Sequence, residues 1–315
     1  MQNLVTTVIT VFNRGPAVRS TVDSALSQTL PRDEHEVIIV VDGSTDGTAA
    51  ILDAAYGGNS QVRILHHQQQ GVAGARNRGL VEARGKYIAY LDHDDRWLPD
   101  KLAKQVEAIR QGPAGSVVYC GWKEVDTEGA VLPDEEQMQR APWWRPRTGY
   151  ILDDLIPNNL IVSASVPLMR TDVVRRAGGW DARTVPCDDH DLWLRLARSH
   201  PFLYVPDDLV LYTRHSAQQS ADVILMQRAM FRVLLKHWDR LMVRPAKLRF
   251  LLVAVENLES ATLFSTAKGA LVSGDFAGAW AALGRLMLRR PVSLLAPRWL
   301  VLVRRLLARN RTPYR

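Results

Sequence analysis

The stretch Gly85-Lys86-Tyr87-Ile88-Ala89-Tyr90-Leu91-Asp92-His93-Asp94-Asp95-Arg96-Trp97-Leu98-Pro99 decides how the rest of the chain is interpreted. Five of the six residues before Asp92 are apolar or aromatic, which predicts a strand buried on both faces. Three carboxylates follow within four positions, and such close carboxylates repel one another unless a cation lies among them. Their oxygen atoms, with no cysteine nearby, suit a hard divalent ion such as Mg2+ or Mn2+. The alternative is a solvated acidic turn before a helix that begins near Pro99.

The length and net charge of the chain limit the classes of protein to which it can belong. With 315 residues and 47% hydrophobic content, the chain can bury a large core and carry one large domain with an appendage. The net charge is +7, but residues 276–315 hold nine arginines and no acid, so subtracting their +9 leaves −2 for the first 275 residues. The basic charge belongs to the tail, and we therefore expect no nucleic-acid partner.

Cysteine content and hydropathy indicate a cytoplasmic protein. The two cysteines, Cys120 and Cys187, exclude a disulfide framework and fit a reducing compartment. The apolar residues 4–12 have no basic flank before them, so we expect no signal peptide. We also expect no membrane span, because no apolar stretch has the required length.

Strands and helices alternate along the first part of the chain. Predicted strands at 4–12, 37–41, 62–65 and 87–91 are separated by predicted helices. This alternation predicts an α/β fold with a mostly parallel sheet and right-handed crossovers. Ligands of such sheets bind beyond the carboxyl ends of the strands. Asn13, Asp42 and Asp92 each follow a strand directly, so all three are expected at that edge.

Two common phosphate-binding folds fit the sequence poorly. A dinucleotide-binding domain carries a glycine-rich turn after its first strand, where this chain has only Gly15. The sequence also lacks the lysine motif of a P-loop. A phosphate ligand would therefore be held mainly by a metal ion.

Five motifs in order resemble the family 2 glycosyltransferases, which have a GT-A fold. These motifs are Phe12-Asn13-Arg14, Val41-Asp42-Gly43-Ser44-Thr45-Asp46-Gly47-Thr48, Gly71-Val72-Ala73-Gly74-Ala75-Arg76-Asn77-Arg78-Gly79, Leu91-Asp92-His93-Asp94-Asp95, and Gly178-Gly179-Trp180-Asp181 followed by Asp188-Asp189-His190-Asp191-Leu192-Trp193-Leu194-Arg195. The resemblance covers roughly residues 3–220. It implies a Rossmann-like, mostly parallel sheet flanked by helices, and transfer of a sugar from a nucleotide-diphosphate donor to an acceptor hydroxyl, mostly with inversion.

The resemblance implies a metal-dependent donor site. Mn2+ or Mg2+ would stabilise the negative charge that develops on the diphosphate leaving group. The family's Asp-x-Asp pair places Asp94 as a metal ligand, and Asp92 near the ribose or the water shell of the metal. His215 would complete the metal shell, or would be a surface imidazole. Arg76 would lie near the diphosphate, whose geometry a guanidinium matches.

The resemblance also places residues around the nucleotide and the donor sugar. These residues are Thr10, Phe12, Asn13 and, from a later segment, Ser165. One position departs from the family pattern. The family usually has two acids before the Gly-Ser that is Gly43-Ser44 here, but this chain has Val41 at the first of these two positions and Asp42 at the second. Either Asp42 makes the contact with the base, or the base is held without a carboxylate. A UDP-sugar is the expected donor.

The pair Asp188-Asp189 occupies the positions of the acids that supply the catalytic base in this family. Inversion requires a base that takes the proton of the attacking hydroxyl. The resemblance implies Asp189 as that base and Asp188 as an aid to acceptor binding. Burial and a neighbouring carboxylate would raise the pKa of Asp189 toward neutrality. The alternative is that both acids only stabilise a helix N-terminus, by about 0.3–1 kcal/mol.

Residues 142–147 combine two tryptophans with proline and arginine. Aromatic side chains pack well on sugar rings, so this segment could form a flap that faces the acceptor. The alternative is a packed loop.

Beyond a catalytic domain of residues 1–222, residues 223–315 have a helical and increasingly basic pattern. Predicted helices at 223–238 and 248–264 precede a segment, 280–307, in which arginine pairs alternate with Trp, Leu and Val. This pattern is typical of helices on an anionic membrane surface. The alternative is helices packed on the catalytic domain. Membrane binding would place the protein at the inner face of the plasma membrane, as a lipid-linked acceptor requires.

These features predict an inverting glycosyltransferase that builds a bacterial surface polysaccharide on a lipid-linked glycan. A second possibility is a polyprenyl-phosphate glycosyl synthase, whose lipid phosphate acceptor needs no strong base. A third is a catalytically silent scaffold that binds nucleotide sugars.

Overall fold

The computed structural model of the protein describes residues 4–133, 137, 144–156, 159–215 and 218–237. The strands in these ranges are β1 (Val5–Val11), β2 (His35–Asp42), β3 (Val62–His67), β4 (Tyr87–Asp92), β5 (Arg96–Trp97), β6 (Val117–Val125), β7 (Leu168–Arg170) and β8 (Phe202–Thr213). The helices are α1 (Val18–Leu26), α2 (Thr48–Tyr56), α3 (Gly71–Glu82), α4 (Lys101–Gln111), α5 (Leu152–Leu155), α6 (Thr171–Arg176), α7 (Asp188–Ala197) and α8 (Val223–Lys236). The alternation predicted for the first part of the chain is confirmed.

The strands form one eight-stranded sheet in the order β3-β2-β1-β4-β7-β6-β8-β5. Parallel pairs join β1 to β2 and β4, β2 to β3, and β6 to β8. Antiparallel pairs join β7 to β4 and β6, and β5 to β8. Every residue of β1 and β2 is buried, as expected of strands covered by helices on both faces. The predicted α/β fold with a mostly parallel sheet is therefore confirmed.

Polar residues from three strands meet at one edge of the sheet. Thr10 of β1 lies in register with Asp92 of β4 on one side and Val40 of β2 on the other. Asp42, the last residue of β2, is paired with His67 of β3. The carboxyl ends of parallel strands thus bring these side chains together, as the sequence predicts.

Two of the three glycines of helix α3 shape its start and its close approach to the sheet. Gly71, its first residue, has φ 77°, a left-handed conformation that favours glycine. A Cβ atom at Gly79 would lie 2.3 Å from Cγ1 of Val8 on β1, so the helix can pack this closely only without a side chain there. This contact holds α3, and with it Arg76, against the centre of the sheet.

The packed-loop alternative for residues 142–147 is confirmed at Trp144. Its indole Nε1 donates to the carbonyl oxygen of Leu160 at 3.0 Å, and its ring meets that of Trp122 edge-on, with centroids 5.1 Å apart. Residues 142 and 143 lie outside the described residues.

Helix α8 packs against α7. Asp222 caps its N-terminus by accepting from the backbone N–H groups of Ile224 and Leu225, both at 3.0 Å. The inward side chains Ala229, Val233 and Leu234 are buried. The helices predicted at 248–264 and within 280–307 lie outside the described residues. No helix of the described part of the chain is both long and apolar enough to cross a membrane.

Lys101 on α4 is a cation inside the core. Its Nζ donates to Oε1 of Gln105 at 2.8 Å and lies 4.0 Å from the centroid of the Trp97 ring. Burial lowers the pKa of Lys101 to about 8, although the nearby Cys120 opposes this shift. The buried charge therefore destabilises the fold at neutral pH.

We predict that Lys101→Met raises the free energy of unfolding at neutral pH by about 1–3 kcal/mol, because each pKa unit of desolvation costs about 1.4 kcal/mol. In the wild type, the folded state releases the proton near pH 8 and the unfolded state near 10.5, so stability rises as the pH rises between these values. The variant should lack this rise in stability. Urea unfolding of both proteins at several pH values between about 7 and 10 measures the difference.

The matched control is Lys104→Met. This lysine lies on the same helix, but it pairs with Asp207 at the surface at 3.1 Å, so its removal should change stability little. A Lys101→Met variant that is less stable than the wild type at neutral pH would contradict the prediction.

Candidate functional site

A cavity of about 440 Å3 opens at the carboxyl edge of the sheet. Eight of the residues predicted for the site line it: Thr10, Phe12, Arg76, Asp92, Asp94, Asp188, Asp189 and His215. Three others, Asn13, Asp42 and Ser165, lie near it without lining it. The structure thus brings most of the residues predicted to bind the nucleotide sugar or its metal ion into the same cavity as the two predicted catalytic acids, Asp188 and Asp189.

Asp94 lies between two imidazoles. Nε2 of His215 is 2.9 Å from its Oδ2, and Nδ1 of His93 is 3.7 Å from its Oδ1. Burial opposes ionisation, but the nearby His93, the hydrogen bond from His215 and the charge of Arg14 outweigh it and hold the pKa of Asp94 below its usual range. The hydroxyl of Thr213, at the end of β8, donates to the carbonyl oxygen of Asp94. The end of β8 therefore fixes the loop after β4.

Asp95 is buried beneath this loop and holds it in place. Its Oδ1 accepts from the backbone N–H of Thr213 at 3.0 Å, and its Oδ2 accepts from the hydroxyl of Ser165 at 2.6 Å. Burial, followed by the charges of Asp94 and Asp92, raises the pKa of Asp95 well above its usual value. Asp95 thus connects β4, β8 and the loop before β7.

Ser165 supports the site from below. Besides its bond to Asp95, its Oγ accepts from the backbone N–H of Asp92 at 3.0 Å. Its predicted role near the donor sugar stays a prediction. The serine of this segment that lines the cavity is Ser163, whose Oγ lies 3.2 Å from Oδ2 of Asp92. The sequence analysis predicted a role for Ser165 and not for Ser163. Which of the two serines faces the cavity depends on how this loop packs, and the sequence alone does not show this.

Arg76 joins two carboxylates from different parts of the chain. Its Nη2 donates to Oδ1 of Asp92 at 2.5 Å, and its Nη1 donates to Oδ2 of Asp188 at 2.8 Å. The guanidinium carbon lies 4.4 Å from the centroid of the Trp180 ring. Burial alone would lower the pKa of Arg76, but Asp92 and Asp188 raise it above its usual value. The predicted contact of Arg76 with a diphosphate stays a prediction.

Asp189 is a carboxylate with a pKa near neutrality. It lies in the first turn of α7, where its Oδ1 accepts from the backbone N–H of His190 at 2.6 Å and its Oδ2 accepts from the amide of Asn159 at 3.2 Å. Burial, with the adjacent charge of Asp188, raises the pKa of Asp189 to about 7. A carboxylate in this state can accept a proton near neutral pH.

Asp42 and Asn13 tie the loops at the strand ends together. The two oxygens of Asp42 accept from the backbone N–H groups of Gln70 at 2.9 Å and Gly71 at 2.8 Å, at the start of α3. Asn13 has a left-handed backbone, φ 46°, and its Oδ1 accepts from the N–H of Thr45 at 2.8 Å. Both residues shape the edge of the site, and their contact with a nucleotide base stays a prediction.

Helix α8 supplies an apolar wall that the sequence did not reveal. Met226 and Met230 line the cavity on the side of Asp189 and Cys187. Cys187 is packed there, with its Sγ 3.6 Å from the carbonyl oxygen of Met226. Burial, with Asp189 and Asp188, raises the pKa of the Cys187 thiol, so it remains protonated as expected of a packed residue. The amphipathic pattern predicted the helix, but it gave no sign of which face meets the cavity.

The cavity offers two neighbouring metal donors. Within the described ranges, no group of three or more His, Cys, Asp or Glu side chains is arranged to hold a metal ion. Both oxygens of Asp92 are directed to other residues, Arg76 and Ser163. Asp94 and His215 remain as an adjacent pair, which fits an ion that takes the rest of its shell from water and phosphate oxygens.

The chain is similar to bacterial glycosyltransferases. It is 28% identical over 225 residues to the uncharacterised glycosyltransferase RP339 of Rickettsia prowazekii (strain Madrid E), covering 71% of this chain and 68% of that protein. It is 32% identical over 168 residues to the putative teichuronic acid biosynthesis glycosyltransferase TuaG of Bacillus subtilis (strain 168), covering 53% and 62%. A glycosyltransferase of Rickettsia felis matches at 26% identity over 233 residues, but the matched part spans only 36% of its length.

Two solved structures share the fold. The S. aureus TarS 1-349 structure, in complex with UDP-GlcNAc, superposes with a TM-score of 0.56 at 14% identity, covering 89% of this chain and 90% of that one. The mannosyltransferase PcManGT from Pyrobaculum calidifontis, in complex with GDP-Man and Mn2+, gives a TM-score of 0.58 at 18% identity, covering 96% and 83%. At these identities the likeness shows the fold, which is the GT-A fold of glycosyltransferases.

The model of one sequence family covers 11 of the 22 residues that line the cavity. The model of "Glycosyl transferase family 2" matches residues 6–178, more than half of the chain. The protein therefore belongs to glycosyl transferase family 2.

Proposed function

We propose that the protein transfers a sugar from a nucleotide-diphosphate donor to an acceptor hydroxyl with inversion of configuration. One observation carries this proposal: a single cavity contains both the adjacent pair Asp94 and His215 and the carboxylate of Asp189, which can accept a proton near neutral pH. Asp94 and His215 suit the binding of a metal ion with a diphosphate, and Asp189 suits the activation of an acceptor hydroxyl. We further propose a UDP-sugar as donor, which the UDP-GlcNAc complex of TarS supports.

The donor would lie at the ends of β1 and β4. The ring of Phe12 is 38% exposed and offers an apolar face to a nucleotide base. Asp94 and His215 would hold Mn2+ or Mg2+, which the Mn2+ complex of PcManGT supports. When bound, the ion supplies positive charge to the diphosphate leaving group. Asp92, fixed by Arg76, would lie toward the ribose.

The acceptor would lie between Asp189 and helix α8. In the transfer, the acceptor oxygen attacks the anomeric carbon while the bond from that carbon to the diphosphate oxygen breaks. Asp189 takes the hydroxyl proton, and the nucleoside diphosphate leaves with the bonding electron pair. Asn159 orients the carboxylate, and Met226 and Met230 exclude water from this side.

We propose that the acceptor is a lipid-linked glycan and that the product is a bacterial surface polysaccharide. The putative role of TuaG in teichuronic acid biosynthesis supports this pathway class. The proposal divides the chain into a catalytic domain, residues 1–222, and a basic region, residues 223–315, whose first helix, α8, also lines the cavity and whose later residues bind the anionic inner face of the plasma membrane. The nine arginines of residues 276–315 support membrane binding, although they lie outside the described residues.

Replacing the base should reduce the chemical step alone. We predict that Asp189→Asn lowers kcat by about 10²–10⁴-fold, because the amide accepts no proton, while nucleotide affinity stays unchanged. The wild-type kcat should rise with pH through about 7 as Asp189 ionises. Release of nucleoside diphosphate from the preferred nucleotide sugar measures both effects, with the surface variant Asp207→Asn as control.

Three results would contradict this account of the base. A loss of less than about tenfold in Asp189→Asn would favour a phosphate acceptor, and hence a polyprenyl-phosphate glycosyl synthase. Retention of the anomeric configuration in the product, determined by NMR, would contradict a base at Asp189. Absence of any turnover by folded protein would favour the nucleotide-sugar-binding scaffold.

Removing divalent metal should abolish turnover. We predict that EDTA stops sugar transfer and that Mn2+ restores it, since the leaving diphosphate needs a counter-charge. His215→Asn should raise the Mn2+ concentration that gives half-maximal rate by about tenfold or more. His66→Asn is the matched control, because this exposed imidazole pairs with Asp53 at the surface, at 3.2 Å. Full activity in EDTA would show that the donor site works without metal.

A further inference from the structure

Arg76 lies at the junction between the two halves of the cavity. One of its terminal nitrogens binds Asp92, at the end of β4 on the donor side, and the other binds Asp188, at the start of α7 on the acceptor side. Arg76 is only 6% exposed. A single guanidinium therefore connects the carboxylates that the two substrates would approach.

The guanidinium is held rigidly in this place. Its central carbon lies over the ring of Trp180, and Asn77, the next residue of α3, holds the backbone of that tryptophan at both its N–H and its carbonyl group. The amide of Asn77 donates to the carbonyl oxygen of Trp180 at 2.8 Å and accepts from its N–H at 2.8 Å. The ring of Tyr90 meets the Trp180 ring edge-on at 4.8 Å. Both terminal nitrogens of Arg76 are thus held by carboxylates, and its ring contact restrains the guanidinium in this place.

Moving Arg76 to a diphosphate would leave a buried charge behind. Asp188 is 3% exposed, and its Oδ2 receives the bond from Arg76. A buried carboxylate that loses its partner is strongly disfavoured. The adjacent Asp189 would then share a poorly solvated space with an uncompensated negative charge, so its proton would be held more tightly.

We propose that Arg76 is a positioning residue that couples the donor-side carboxylate Asp92 to the acceptor-side carboxylate Asp188, and that it is not a ligand of the donor diphosphate. This inference rests on the proposed function in naming the two sides, but the bridge itself is a property of the protein. Its consequence is that Asp188, paired with Arg76, favours its ionised form more than the adjacent Asp189, which is bound by an amide and a backbone N–H instead.

The charge of Arg76 should be visible in the titration of Asp189. Of the described residues, the charged and titratable groups that face Asp189 are Asp188 on its own helix, Arg76 from α3 and the protonated thiol of Cys187. From the loop before β7 and from α8, Asn159 and two methionines contribute no charge. Because a cation favours the ionised carboxylate, removing Arg76 raises the pKa of Asp189, and removing the charge of Asp188 lowers it.

The test is an NMR titration of aspartate carboxyl carbons, with the Asp189 resonance identified by its loss in Asp189→Asn. In Arg76→Gln, the titration midpoint of Asp189 should rise by about one pH unit, a tenfold gain in proton affinity. In Asp188→Asn it should move in the opposite direction. Arg78→Gln is the matched control, since Arg78 lies on the same helix and pairs with Glu82 at the surface. It should leave the midpoint unchanged.

Calorimetry with UDP and GDP in Mn2+ separates the two roles of Arg76. We expect the Kd of the preferred nucleotide to change by less than about threefold in Arg76→Gln. A Kd raised by about tenfold or more, with an unmoved Asp189 midpoint, would overturn the inference in favour of a diphosphate contact. An unmoved midpoint with unchanged Kd would also overturn it.

Two further outcomes keep the inference separate from the proposed function. If Arg76→Gln does not fold, the Asp188→Asn variant provides the test. An Asp189 titration midpoint that does not fall in this variant would contradict the proposed role of Arg76 between Asp92 and Asp188. If the wild type binds neither nucleotide, the UDP or GDP donor is contradicted, while the titration still supports or overturns the bridge.

Discussion

Repulsion among five carboxylates at one edge of the sheet is the constraint on which the rest of the structure depends. They are Asp92, Asp94, Asp95, Asp188 and Asp189. Each is compensated differently: imidazoles flank Asp94, a backbone N–H and serine hydroxyls bind Asp95, and the guanidinium of Arg76 serves both Asp92 and Asp188. Asp189 has only an amide and a backbone N–H, and its pKa rises to about 7. The unequal compensation separates Asp189, which can accept a proton, from Asp92 and Asp188, which are paired with a guanidinium.

The fold supplies this arrangement through elements distant in sequence. Parallel strands deliver the carboxylates of β4 beside the end of β1, and β8 returns to fix the same loop through Thr213. Helix α3 brings Arg76 close because Gly79 allows it to pack against Val8. Helix α7 begins at the cavity, and Met226 and Met230 of α8 line it. Sheet topology, helix packing and charge balance thus converge on one site.

Much of this was predictable from local sequence. Continuous apolar runs that end in Asn or Asp indicated the strands and the functional edge, and eight of the 22 residues that line the cavity were among those predicted for the site. The exceptions have a common physical reason. Asp42 caps α3 and Ser165 binds Asp95 from below, so both serve the edge through contacts that only tertiary packing creates. The inward turn of Met226 likewise depends on how α8 docks, and the pairing of Arg76 with Asp188 joins residues too far apart in sequence for any local pattern to indicate it.

The central claim is that this edge binds a nucleotide diphosphate through a metal held by Asp94. Calorimetric titration of the wild type with a panel of nucleoside diphosphates, in Mn2+ and in EDTA, tests it most directly when repeated on Asp94→Asn. The account predicts that one nucleotide binds in Mn2+, that EDTA abolishes binding, and that the folded variant loses it. Binding that persists equally in EDTA and in Asp94→Asn would contradict the account, as would a folded wild type that binds no nucleotide.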